Sequence, residues 1–385
     1  MNIAQEIIRI RRAIHQNPEL SRQEYQTAKF IEGELDKLHI PHKRVAKTGV
    51  VGILKTGKAG KTIALRADID ALPIQEENNI SYKSKNAGIM HACGHDNHLA
   101  IVLGAAAYLV QNKKDLQGNV KFIFQPSEEI SGGAKAVLKA GAFKNPKVDI
   151  VLGAHVSPRI KSGKIGIKFG AMMASVDRFH IEILGFMAHG AHPHLGKDAI
   201  TAAAEFILSV QTIVSREIDP LQPAVITLGK ISGGDSYNII CKNISIDGTV
   251  RTLNSEVRKH IKAAIIKRLK SLALAHDIKY KLDYFDNAKP LINNQKIADF
   301  CLKTAQEFYG KNNVIIIEKP VMGGEDFSEY LEVAEGNFLN IGTNKNKQTA
   351  YPHHNSKFNV DEDALPKAAQ YLAYTIQKLL KERCR

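Results

Sequence analysis

The chain is poor in cysteine: Cys93, Cys241, Cys301 and Cys384 are the only four in 385 residues. Thiols so few and so scattered cannot staple a protein of this length, which excludes a disulfide framework and predicts free cysteines. Long apolar runs are also missing, so no segment is predicted to span a membrane as a helix. The opening Met1-Asn2-Ile3-Ala4-Gln5-Glu6-Ile7-Ile8-Arg9-Ile10-Arg11-Arg12 carries charge throughout and lacks the unbroken apolar core and small-residue cleavage site of a secretory signal. Together these absences predict a cytoplasmic protein. Internal repeats and low-complexity segments are lacking as well, which argues against a repeat array or a disordered tail. Acidic residues are in deficit, 39 against 53 Lys and Arg, giving a net charge of +14. The bases are interleaved with acids along the whole length and form no motif with aromatic residues, so no nucleic-acid partner is predicted. The charge reads as a solubilising surface, with steering of a carboxylate substrate as a secondary role.

Hydrophobic residues make up 44% of the chain, enough for a substantial core and two domains. Apolar positions recur at helical spacing around Ile7, Ile10 and Ile14 and again over 24–38. Short apolar runs at 62–68, 120–125 and 149–155 read as strands, and helical patterns at 99–110 and 133–140 lie between them. That alternation predicts an α/β fold with a mostly parallel sheet. From about residue 175 the texture changes: a strand at 179–184, a helix at 199–215, strands at 224–231 and 243–251, a basic helix at 256–275 and a strand at 279–284. The order β-α-β-β-α-β predicts a ferredoxin-like α+β domain inserted at 175–288. Residues 1–174 and 289–385 then form a discontinuous catalytic domain, completed by a buried strand at 337–343 and a helix at 363–380.

The densest chemistry lies in Met90-His91-Ala92-Cys93-Gly94-His95-Asp96-Asn97-His98, which gathers a thiol, three imidazoles and a carboxylate within nine positions. Cys93 and His95 straddle a glycine that permits a sharp turn, a combination that points to a transition-metal site. His91 and His98 are read as structural. Glu128 and Glu129 follow an apolar strand and precede Gly132-Gly133. Adjacent carboxylates point to different sides, so one can bind metal while the other accepts a proton. Asp68, Glu128, Glu129 and His155 each fall just past a predicted strand, the edge at which open α/β sheets place their sites. His353-His354, after Tyr351-Pro352, offers a further imidazole.

These motifs resemble the metal-dependent amidohydrolase and aminoacylase superfamily, in particular its hippurate hydrolase, N-acyl-amino-acid amidohydrolase and indoleacetyl-amino-acid hydrolase branch. The resemblance runs through His15-Gln16-Asn17-Pro18-Glu19-Leu20, Leu65-Arg66-Ala67-Asp68-Ile69-Asp70-Ala71-Leu72-Pro73-Ile74, the cysteine motif, Gln125-Pro126-Ser127-Glu128-Glu129, Gly248-Thr249-Val250-Arg251-Thr252 and Met322-Gly323-Gly324-Glu325-Asp326-Phe327. It implies that Cys93, His95, Glu129, His155 and His354 bind two divalent metal ions per subunit, zinc or manganese first, with cobalt or nickel also accommodated. Glu128 resembles the general base, and Asp68 the carboxylate that orients a ligating imidazole. Gly185-Phe186-Met187-Ala188-His189-Gly190 is similar to a lid motif whose His189 polarises the scissile carbonyl. Asn238 and Arg251 resemble groups that hold the substrate, with Gly323 and Gly324 letting backbone approach it. The implied reaction is hydrolysis of an N-acyl amino acid, by a homodimer formed through the inserted lid and dimerisation domain. Alternatives are an N-acetyl-diaminopimelate deacetylase, a metallo-carboxypeptidase, or a catalytically silent metal-binding or assembly protein.

Overall fold

The computed structural model describes residues 2–382, so Cys384 lies outside the described residues. Cys93, Cys241 and Cys301 are free thiols. Among the described residues no helix is long and apolar enough to cross a membrane.

Two compact units are present. The first comprises the residues up to 170, 292–318 and those from 329 on; the second comprises 171–291 and 319–328. The segment 319–328, grouped with the catalytic domain on sequence, packs with the second unit. There Ala174 N–H donates to the Gly323 carbonyl at 2.8 Å and Val321 N–H to the Met172 carbonyl at 3.0 Å.

The first unit is built on an eight-stranded sheet. Its order is His42–Val45, Gly49–Lys55, Asn119–Gln125, Thr62–Asp68, Ile150–Lys161, Glu335–Asn344, Ile165–Ile167 and Val314–Ile316. The third to sixth of these run parallel, and antiparallel pairings occur towards both edges. Every residue of Thr62–Asp68 is buried, as a parallel strand covered on both faces requires. The helix His95–Gln111 is buried almost all round, the signature of a helix inside the core. It packs against Ile3–His15 and Ala364–Lys381 at Gly104, where an added Cβ would meet the Ile7 side chain at 2.4 Å and Ala369 at 3.1 Å.

Two boundaries differ from the sequence reading, and both bear on the site. The helix begins at His95, four residues earlier than the apolar pattern, because its first turn is polar yet buried. The strand Ile150–Lys161 continues past His155, which therefore stands within it and pairs with Asn340.

The second unit has the predicted ferredoxin-like order. Its antiparallel sheet runs Lys279–Ala288, Val176–Leu184, Asn243–Thr252, Ala224–Gly233. Burial alternates along Val176–Leu184, and its inward residues Phe179, Ile181 and Ile183 share a core with Phe206 and Ile265 from the helices Ala199–Thr212 and Ser255–His276. One covered face is what an antiparallel sheet with period-two patterning needs.

Candidate metal centre

Gly94 makes the turn that the cysteine motif requires. Its φ is +95°, and a Cβ there would lie 2.5 Å from Cγ2 of Val156, so both conformation and space demand glycine. The turn leaves His95 as the first residue of its helix and sets Cys93 Sγ 3.5 Å from His155 Nε2. The ligand atoms of Cys93, His95 and His155 lie within 4.8 Å of one another, as do those of Cys93, Glu129 and His354 and those of His95, Glu128 and Glu129. The five expected ligands and Glu128 are thus brought together at one end of the sheet.

Hydrogen bonds fix which nitrogen of each ring is free. His155 donates from Nδ1 to the Val156 carbonyl at 2.8 Å, which leaves the Nε2 lone pair towards Cys93. His95 donates from Nδ1 to the Asp70 carbonyl at 2.9 Å, with Asp70 Oδ1 at 3.2 Å. Its Nε2 is buried without a hydrogen-bond partner, and so is Glu129 Oε1, 3.8 Å away. Buried polar atoms left unsatisfied are costly; two facing ligand atoms in that state fit a bound cation. His98 is different, because Nδ1 donates to Asp68 Oδ1 at 2.6 Å and Nε2 accepts from Val156 N–H at 2.9 Å. With both nitrogens engaged it serves the scaffold. Burial holds His91 down to about 4, so it stays neutral.

The electrostatics of the donor set point the same way. Burial raises the Cys93 thiol well above its ordinary value, and the carboxylates of Glu129, Glu128 and Asp68 push it further. Burial alone would lower His95, yet Asp68, Asp70 and Glu129 outweigh it and raise the imidazole to about 10. A group of acids crowding a thiol and an imidazole in the interior holds protons unless cations replace them, and metal binding releases those protons. Thiolate, imidazole and carboxylate together suit a borderline divalent ion.

The sequence reading gives Asp68 the task of orienting a ligating imidazole; in the structure Asp70 faces Nδ1 of His95, while Asp68 Oδ2 stands 3.6 Å from Nε2 of the same ring. Asp68 accepts from His98 and from Arg66 Nη1, the latter at 2.7 Å. Asp70 faces Nδ1 of His95 and also accepts from Ser21 Oγ at 2.7 Å and Glu129 N–H at 3.0 Å, so it ties two ligand residues at once. The two carboxylates are two positions apart in sequence, and only the placed imidazole distinguishes them. Asp70→Ala is expected to weaken metal affinity by about 10–100-fold, measured by competition with a chromophoric chelator.

The remaining candidates lie in the second unit. His189 accepts at Nδ1 from Ala191 N–H at 3.0 Å, so its proton sits on Nε2, available to an incoming oxygen. Gly190 N–H donates to the Asn238 carbonyl at 2.7 Å and Ile240 N–H to the Ala188 carbonyl at 2.8 Å, which joins the His189 and Asn238 segments side by side. Arg251, in the strand Asn243–Thr252, is half-buried, and that burial lowers its pKa. Gly324 is explained by packing: a Cβ there would lie 2.0 Å from Val176 Cγ2 and 3.1 Å from Arg251 Nη1, whereas at Gly323 the nearest atom is 3.6 Å away.

Residues 64–378 match the family described as Peptidase family M20/M25/M40. The N-acetyl-L-cysteine deacetylase of Bacillus subtilis is 41% identical over 379 residues, covering 98% of this chain and 89% of the relative. Thermostable carboxypeptidase 2 of Saccharolobus solfataricus is 40% identical over 365 residues, covering 93% of this chain and 91% of the relative. Among solved structures, a dinuclear metal binding peptidase from Bacillus subtilis superposes with a TM-score of 0.84 at 35% identity, covering 98% of this chain and 99% of that one.

Proposed function

Because the chain belongs to peptidase family M20/M25/M40, a family of metal-dependent hydrolases, we propose that it cleaves the amide bond of N-acyl amino acids, releasing a carboxylic acid and a free amino acid. The observation that carries this reading is the convergence of Cys93, His95, Glu129, His155 and His354 beside Glu128, with His95 Nε2 and Glu129 Oε1 buried and unsatisfied. Those five residues would hold two divalent ions, zinc or manganese, with cobalt or nickel as substitutes. When bound, such ions polarise a carbonyl and bring the pKa of water down towards about 7.

The chain's own residues supply the rest. Glu128 removes a proton from the attacking water and returns it to the leaving amine. His189 donates a hydrogen bond from its Nε2–H to the developing oxyanion. Arg251, aided by Asn238, holds the free carboxylate of the amino acid, a task for which a guanidinium fork suits better than an ammonium. A homodimer through the second unit is supported by its edge strand Ala224–Gly233, where Val225 and Ile231 are exposed. A cytoplasmic location belongs to the same proposal.

A panel of N-acetyl amino acids, N-benzoyl amino acids, their carboxamides and dipeptides, assayed with metal-loaded protein, tests the reading. Acyl amino acids with a free carboxylate should turn over at least about 10-fold faster than their carboxamides, the scale of one lost charge-assisted contact. The likeness to a carboxypeptidase supports a second reading, in which peptides outpace acyl amino acids. Protein that carries two ions per chain and cleaves nothing in the panel would sink both and leave the silent metal binder.

A further inference from the structure

The segment that carries Glu128 and Glu129 has open space on one side. A cavity of about 370 Å³ lies against it, walled by residues from 22–25, 46–48 and 126–136. Nine non-glycine residues have positive φ among the described residues, and five of them line this cavity: Arg22, Ala46, Lys47, Ser127 and Ser131. Side chains disfavour that backbone state, and a cavity supplies no packing to enforce it. Something else must hold the segment.

Polar ties do so, and they centre on Glu24. Its side chain is fully buried. Oε1 accepts from Ser127 N–H at 2.8 Å and from Ser127 Oγ at 3.3 Å, and Oε2 accepts from Thr48 Oγ1 at 2.7 Å. Ser127 Oγ in turn accepts from Arg22 N–H at 3.0 Å. Glu24 stands at the N-cap of the helix Tyr25–Lys37 but makes no capping bond with its side chain. Glu19 caps that helix instead, accepting from Gln26 N–H at 3.1 Å and Thr27 N–H at 2.8 Å, which releases Glu24 to reach the segment. Two carboxylates therefore grip the backbone on either side of Glu128: Glu24 at Ser127 N–H, and Asp70 at Glu129 N–H.

We propose that Glu24 is a positioning residue for Glu128: by holding Ser127 at φ +58° it fixes the direction in which the Glu128 carboxylate faces the cluster. This rests on Glu128 being the proton acceptor of the proposed hydrolysis. Glu24→Ala should retain both ions and a KM within about threefold of the parent, with kcat lower by about 100-fold, the scale of an ångström of misplacement. Glu24→Gln should recover most of that loss, since its amide oxygen still accepts from Ser127 N–H and the Thr48 hydroxyl can turn to accept from the amide. A separate pair probes the backbone state without touching Glu24. Ser127→Gly takes up positive φ freely and keeps its N–H, whereas Ser127→Val resists it; valine should reproduce the kcat loss and glycine should recover most of it.

Glu24→Ala with a kcat within about threefold of the parent overturns the proposal; so does a loss that tracks lost metal, or equal rates for the two Ser127 variants. A parent that is itself inactive on the panel condemns the role of Glu128, a different failure from an active parent indifferent to these changes.

Discussion

Glu128→Gln is expected to lower kcat by about 10²–10⁴-fold, the usual worth of a positioned general base, while two metal ions stay bound. The substitution keeps the shape and an acceptor oxygen but removes the ability to take a proton near neutral pH. Glu128 lies within 4.8 Å of the ligand atoms of His95 and Glu129, close enough to serve water at the cluster. Glu129 occupies the other role: its orphaned Oε1 and its Oε2, 3.5 Å from His354 Nε2, face imidazoles on two sides. Glu129→Gln should therefore lose metal first and activity as a consequence. Elemental analysis alongside steady-state kinetics separates the two carboxylates. A Glu128→Gln protein with full metal content and the parent's rate would remove the proton acceptor from the mechanism.

Which parts of this site could be read from sequence follows from how local each signal is. Cys93, Gly94 and His95 sit in one short motif, and the need for glycine between two ligands is a local property of backbone and space. The strand Thr62–Asp68 has the ends its apolar pattern predicts, and the helix Ala364–Lys381 lies one residue from its predicted ends. The contact of Asp70 with His95 was missed because it exists only once helix His95–Gln111 brings an imidazole to that carboxylate. Glu24 lies 103 positions from Ser127, and its place at the start of a helical apolar pattern gives no hint of that partner. The extension of Ile150–Lys161 past His155 was equally hidden, since Val156 and Ser157 owe their strand geometry to pairing with Ile341 and Gly342. Gly324 in the Gly323-Gly324 pair carries a constraint of its own that only the fold shows, since a Cβ there would meet Val176 and Arg251.

Arg258→Met is expected to destabilise the second unit by about 3–5 kcal/mol, the cost of leaving a buried charge without its partner. Asp177 is fully buried and lies on Val176–Leu184. Its carboxylate accepts from Arg258 Nε at 3.0 and 2.9 Å, from Arg258 Nη2 more closely still, and from the Tyr284 hydroxyl at 3.1 Å. Burial would lower the Arg258 pKa, but the Asp177 carboxylate outweighs it and raises it, while burial and the same carboxylate raise Tyr284. Removing the guanidinium exposes a second consequence. Asp177 pairs in register with Val250, the neighbour of Arg251, and already favours the charged form of Arg251 across that short distance. Freed of Arg258, it becomes a competitor for the guanidinium assigned to the substrate's carboxylate. The single variant should thus unfold at lower denaturant and show a raised KM for acyl amino acids, whereas Asp177→Asn combined with Arg258→Met should recover much of both. Urea melts and substrate titrations of the two proteins decide it; an unchanged midpoint in the single variant would mean that the buried carboxylate has found another partner and that this ion pair does not hold the unit together.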